Sequence, residues 1–218
     1  GLHAAEPALG EMTDGTIAGI ILAGGTSRRM GSDKAFAMLR GRPLVAHAAS
    51  RLAPQVGPLA INANVDPQRF AGLHLPIVAD DSPDTGPLGG VLAGLRWAAN
   101  HPQAPRHLVT VPVDGPFIPA DLVARLSDAA GVSGGIVIAA SGERDHPVFA
   151  LWPVEMAERL AAWRLTAKSH GVRAFLAATG FAVASWPLPA KGPDPFFNAN
   201  TPDDLAQAEA WLAGDAPL

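Results

Sequence analysis

The chain contains no cysteine, which excludes disulfides, thiolate catalysis and cysteine-ligated metal. It also lacks any apolar run of about eighteen residues, the minimum for a membrane span. A secretory signal would begin basic and continue apolar, whereas residues 1–16 carry neither Arg nor Lys and no apolar middle. Positive charge is the minority sign, with 16 Lys and Arg against 20 Asp and Glu and a net charge of −4. That balance argues against general affinity for nucleic acid or for an anionic membrane. Internal repeats and low-complexity linkers are absent as well. The lack of cysteine is compatible with the cytoplasm, the expected location.

The 218 residues, 48% hydrophobic and 17% charged, are enough for one domain with a sizeable core. Residues 1–16 show no strand pattern and read as a disordered leader or expression remnant, with Met12 a candidate natural start. A single domain is expected over residues 17–213. Within it, apolar β-like runs at 18–22, 59–62, 77–79, 107–111, 135–139, 148–151 and 182–186 alternate with helix-like segments. The helices are expected at 43–52, 88–101, 120–129, 153–163, 172–178 and 202–213. Several strand runs are apolar without alternation, as strands buried on both faces are. This order predicts an α/β fold with a mainly parallel central sheet between helical layers. Ligands of such folds bind at the carboxyl ends of the strands. Met30, Met38 and most aromatics are expected in the core.

The first strand runs into Leu22-Ala23-Gly24-Gly25-Thr26-Ser27-Arg28-Arg29-Met30-Gly31-Ser32-Asp33-Lys34. Adjacent glycines let the backbone turn sharply and approach a ligand closely, and successive N–H groups in such a turn form an anion nest. Arg28, Arg29 and Lys34 add full positive charge within eleven residues of Gly24. The pattern describes a seat for nucleotide phosphates. It is not a Walker A loop, because Ser32-Asp33 intervene between Gly31 and Lys34, and the G-x-G-x-x-G fingerprint is absent here.

Three later motifs also follow predicted strands. In Asp80-Asp81-Ser82-Pro83-Asp84-Thr85-Gly86-Pro87-Leu88-Gly89-Gly90, glycines allow a base or ribose to approach the backbone; a helix-capping role for the acids is the competing reading. Asp114, in Pro112-Val113-Asp114-Gly115-Pro116, is a carboxylate held between prolines just after a strand, as a magnesium ligand beside phosphates should be. His146, in Arg144-Asp145-His146-Pro147-Val148-Phe149, fits either a structural hydrogen bond or a site. Near the end, Thr201-Pro202 followed by Asp204 reads as a helix cap, leaving Asn198 and Asn200 to face a ligand.

LAGGTSRRMGSDK, AINAN, DDSPDTGPLGG, VPVDGPF, HPVFALW and FFNANTPDDL, in this order, resemble the molybdenum cofactor guanylyltransferases over residues 17–212. The resemblance implies a Rossmann-like nucleotidyltransferase fold and a reaction in which GTP and molybdenum-bearing molybdopterin give the guanine dinucleotide cofactor and pyrophosphate. By position, Leu22, Ala23, Gly24 and Gly25 would contact the nucleotide and Lys34 its phosphates, Asn62 and Asp81 would hold guanosine, and Asp114 would bind both magnesium and nucleotide. Arg28, Lys34 and Asp114 would carry catalysis. Arg29, His146, Asn198 and Asn200 would serve the pterin substrate. The resemblance also implies transient contact with proteins that deliver the cofactor or mature molybdoenzymes.

Two alternatives remain open. The cytidylyl counterparts, which use CTP, typically show alanine for the first glycine of the first loop and aspartates in the last motif; Gly24-Gly25 and Asn198-x-Asn200 favour GTP. A non-catalytic nucleotide-binding module on the same fold would be expected to lack Lys34 or Asp114, and both are present.

Overall fold

The structure, a computed structural model, describes residues 17–24, 34–81 and 86–214. A seven-stranded sheet organises them. Its strands are β1 (Ile17–Leu22), β4 (Leu59–Asn62), β5 (Ile77–Val78), β6 (His107–Pro112), β7 (Val137–Ser141), β8 (Arg144–Pro153) and β9 (Ala182–Trp186). A short hairpin, β2 (Met38–Leu39) with β3 (Arg42–Pro43), stands apart. The helices are α1 (Leu44–Leu52), α2 (Gly86–Ala99), α3 (Leu122–Ser133), α4 (Met156–Thr166), α5 (Val172–Thr179) and α6 (Pro202–Ala213). Among the described residues none is long and apolar enough to cross a membrane.

The strand order is β5-β4-β1-β6-β8-β7-β9, and only β8 runs antiparallel to its neighbours. Alternate residues of a strand point to opposite faces. Along β1, Ile17 and Ile21 therefore join one core with residues of α1 and α3. Ala18 and Ile20 join the other with α2, α4 and α5. Trp152 and Phe175 are fully buried in the second core, and a buried side chain of this size is worth about 3 kcal/mol or more against truncation.

The parallel registers pair Leu22 with both Asn62 and Pro112, and Asn62 with Val78. Four strands therefore end in one row, and the loops carrying Gly24, Asn64, Asp80 and Asp114 leave the sheet side by side. On the other flank, β7 and β8 form a hairpin through Gly142, whose φ of 55° suits the first central position of a two-residue turn. Being antiparallel, β8 brings its amino-terminal half to this same rim. There its pairing slips: Ile138 faces Ala150 while Ala139 faces His146, so residues 147–149 bulge out. Pro147 offers no N–H to a ladder, and Thr110 Oγ1 instead donates to Val148 O at 2.7 Å.

Three expectations are corrected. Helix α4 begins at Met156, because Pro153 closes the β8 ladder opposite His107. Strand β8 runs well beyond the expected 148–151. Met38 is exposed, lying on the small hairpin and not in the core. Met30 and residues 1–16 lie outside the described residues.

Candidate functional site

A cavity of about 690 Å³ opens along the row of strand ends. Leu22, Gly24, Asn62, Asn64 and Asp80 line one end; Arg144, His146, Phe149, Arg173 and Asn198 line the other; Lys34 and Asp114 lie between them in the lining. The sequence expectation for clustered loops is met by Leu22, Gly24, Lys34, Asn62, Asp114, His146 and Asn198. Ala23 is part of the first loop, its N–H donating to Asn62 O at 2.8 Å. Gly25, Arg28 and Arg29 lie outside the described residues.

Asp114 is 8% exposed. Its Oδ2 pairs with Lys34 Nζ at 2.6 Å, and Lys34 also donates to Asn200 Oδ1. The backbone N–H of Ala199 donates to Asp114 O at 2.9 Å, which locks the last loop onto the Asp114 loop. Thr201 and Asp204 form the expected capping box at the start of α6, so Asn198 and Asn200 project from a fixed helix entry. Asp114 Oδ1 and Asn198 Oδ1 are buried and receive no hydrogen bond from the described residues. Buried oxygens are rarely left so, and two such hard acceptors in the lining that also holds Lys34 fit a cation or a ligand's proton arriving from outside.

At the other end, Asn62 Nδ2 donates to Val78 O at 3.0 Å and to Asp80 Oδ1 at 2.7 Å. Asn64 Nδ2 donates to Asp80 Oδ2 at 3.0 Å, and the Asp80 N–H returns a bond to Asn64 Oδ1 at 2.8 Å. A Cβ on Gly90 would lie 2.3 Å from Asn62 Oδ1, so any larger residue there must push this amide aside where α2 passes it. Asp81, by contrast, is ion-paired with Arg96 and more than half exposed; it does not line the cavity.

His146 is buried, and burial lowers its pKa from the usual 6.5 despite the opposing Asp194 charge. Burial likewise lowers that of His107, at the far end of the sheet. Asp80, Asn64, Arg144 and Arg173 were not singled out by sequence. Arg173 sits in the first turn of α5 and donates to Asp145 O at 3.4 Å. Asp80 adjoins Asp81, and Asn64 alternates with Asn62 on the strand exit; those spacings were the available signal.

A sequence profile for the MobA-like NTP transferase domain matches residues 19–183. A protein of Cereibacter sphaeroides named molybdenum cofactor guanylyltransferase is 53% identical over 199 residues, covering 91% of this chain and 98% of its own. The chain belongs to the molybdenum cofactor guanylyltransferase family, and so is a nucleotidyltransferase. A second member, from Bradyrhizobium sp. (strain ORS 278), is 46% identical and covers 92% of this chain and 95% of its own. Among solved structures, molybdopterin-guanine dinucleotide biosynthesis protein A from Archaeoglobus fulgidus superposes with a TM-score of 0.71 at 23% identity, over 90% of this chain and 99% of its own. A CMP:2-keto-3-deoxy-manno-octonic acid synthetase complexed with CTP gives 0.70 at 12% identity, over 92% and 99%. Both structural likenesses concern the fold. The Rossmann-like α/β nucleotidyltransferase expectation holds.

Proposed function

We propose that the chain transfers GMP from GTP to the terminal phosphate of molybdenum-bearing molybdopterin, releasing pyrophosphate and forming the guanine dinucleotide cofactor. The observation that carries this reading is the Lys34–Asp114–Asn200 cluster between the two ends of one cavity. GTP lies over β1, β4 and β5 with its phosphates toward Lys34, and the pterin substrate lies over β6, β8 and β7. Leu22, Ala23, Gly24, Gly25 and Asn62 contact the nucleotide. Arg29, His146, Asn198 and Asn200 face the acceptor.

The acceptor's terminal phosphate has a second pKa of about 6, so near neutrality it is already largely dianionic and needs no base. One of its oxygens bonds to the α-phosphorus of GTP. The bond from that phosphorus to the oxygen bridging to the β-phosphate breaks, and pyrophosphate leaves with the electron pair. The protein's contribution is alignment and charge. Lys34 and Arg28 neutralise the approaching anions and stabilise the leaving pyrophosphate.

The donor set fits magnesium: Asp114 Oδ1 and Asn198 Oδ1 are buried hard oxygens with no donor among the described residues, and this ion takes one or two protein oxygens and otherwise water and phosphate. No group of three or more His, Asp or Glu is placed to hold a metal among the described residues. When bound, magnesium supplies positive charge that polarises phosphoryl oxygens.

Guanine offers an N1–H and an amine on one edge, and a carboxylate accepts both, whereas a base without that paired edge leaves it unmatched. Asp80 lines the cavity and is held by Asn62 and Asn64, while Asp81 is turned to Arg96; this supports assigning the base to Asp80, with Asp81 at the rim. The reaction belongs to the cytoplasm, with the pterin passed on to other proteins of cofactor delivery and molybdoenzyme maturation. Phosphate labels test the transfer: α-labelled GTP should leave its label in the cofactor and γ-labelled GTP in pyrophosphate. Label in free GMP would make the protein a hydrolase instead.

A further inference from the structure

A polar chain of the buried His146 and Ser141 and the partly buried Asp194 stands at the acceptor end of the cavity, and the bond-making step does not use it. The His146 ring packs on Phe196 at 4.9 Å between centroids and edge-on to Phe149 at 6.3 Å. Its Nε2 lies 2.7 Å from Ser141 Oγ. That hydroxyl donates to Asp194 Oδ2, also at 2.7 Å. Asp194 Oδ1 is fixed separately by the Phe196 N–H at 2.9 Å.

Counting protons gives this chain a direction. An ionised carboxylate only accepts, and a serine hydroxyl has one proton to give. The proton that Ser141 gives to Asp194 is unavailable to His146, so Ser141 Oγ accepts and Nε2 carries the hydrogen. A neutral imidazole has a single N–H, which leaves a lone pair on Nδ1; none of the described residues donates to it. Burial favours this neutral ring. The direction is opposite to that of a hydrolase triad, in which serine's proton goes to histidine, so Ser141 is no nucleophile.

We propose that Ser141 and Asp194 are positioning residues that hold His146 in its Nε2–H tautomer, so that Nδ1 accepts a hydrogen bond from an N–H of the pterin ring. This rests on the reading of His146 as part of the acceptor's site. A phosphate oxygen has no proton to offer such a nitrogen. The pterin's amino and ring N–H groups do, so the contact recognises the ring and leaves the phosphates to the cations.

The test pairs a spectrum with kinetics. Imidazole 15N shifts of the free protein, with His146 assigned by its loss in His146→Gln, should report Nε2–H. In Asp194→Asn the carboxamide oxygen can keep the Phe196 N–H while its NH2 donates to Ser141, reversing the chain; the spectrum should move toward Nδ1–H. The KM for molybdopterin should rise about tenfold, the scale of one hydrogen bond, with the KM for GTP unmoved. Ser141→Ala should raise the same KM and not the other. An Nδ1–H tautomer in the unmodified protein overturns the relay. An Nε2–H tautomer with an unchanged molybdopterin KM in both variants overturns the ring contact. Failure of the wider functional reading looks different: no GMP transfer by the unmodified protein, whatever its tautomer.

Discussion

Asp114 meets two demands at once, since one oxygen holds Lys34 and the other is buried without a donor among the described residues. Asp114→Ala should therefore remove turnover, by a factor on the order of a hundred to a thousand or more, while circular dichroism and thermal unfolding report an intact fold. Near-normal pyrophosphate release would remove metal ligation at this residue. The two neighbouring acids divide in the same way. Asp80→Ala should raise the KM for GTP about tenfold or more, the cost of a lost charge-assisted contact, and Asp81→Ala, on an exposed ion pair, by much less; the reverse order in initial-rate kinetics would return the base to Asp81. At Gly90 an added methyl must displace the Asn62 amide. Gly90→Ala should cost about 1–3 kcal/mol in urea unfolding, outweighing its helix-propensity gain, and should weaken GTP binding.

Strand β8 contributes most to the acceptor end, and Thr110 holds its bulge in place. Its hydroxyl donates to Val148 O and accepts the Trp152 indole N–H at 3.0 Å. Thr110→Val keeps the volume but strands both groups, so about 1–3 kcal/mol of stability should be lost by denaturant titration, and the KM for molybdopterin should rise with it. This element marks where sequence reading stops. Apolar runs showed where most strands and helices lie, because burial on both faces leaves that imprint. Strand direction leaves none, so the antiparallel turn of β8, which carries His146 to the rim, had to come from the structure. Pro153 misled for a local reason: a proline that suits a helix start also suits the last residue of a strand, and here the ladder with His107 decides. The β2–β3 hairpin, two residues per strand, is too short to show a period.

Across the whole molecule, the level row of strand ends turns separate motifs into one cavity, and that clustering was legible once the strand order suggested a parallel sheet. What sequence could not supply was pairing: that Asp80 and not Asp81 turns inward, or that Ser141 and Asp194, 53 residues apart, meet at His146. Two histidines in the fold, His107 and His146, have pKa values lowered by burial from 6.5. The unfolded chain then binds more protons than the native state below about pH 6.5, so stability should fall as pH drops from about 7.5 to 5.5. His146→Gln should flatten part of that slope in urea titrations, and an unchanged slope would show that His146 carries none of it. The most direct measurement is pyrophosphate release with magnesium and molybdenum-loaded molybdopterin, comparing GTP with CTP. Release with GTP alone, with guanine dinucleotide cofactor as product, is the expected result; release with CTP alone, or with neither nucleotide from folded protein, would contradict it.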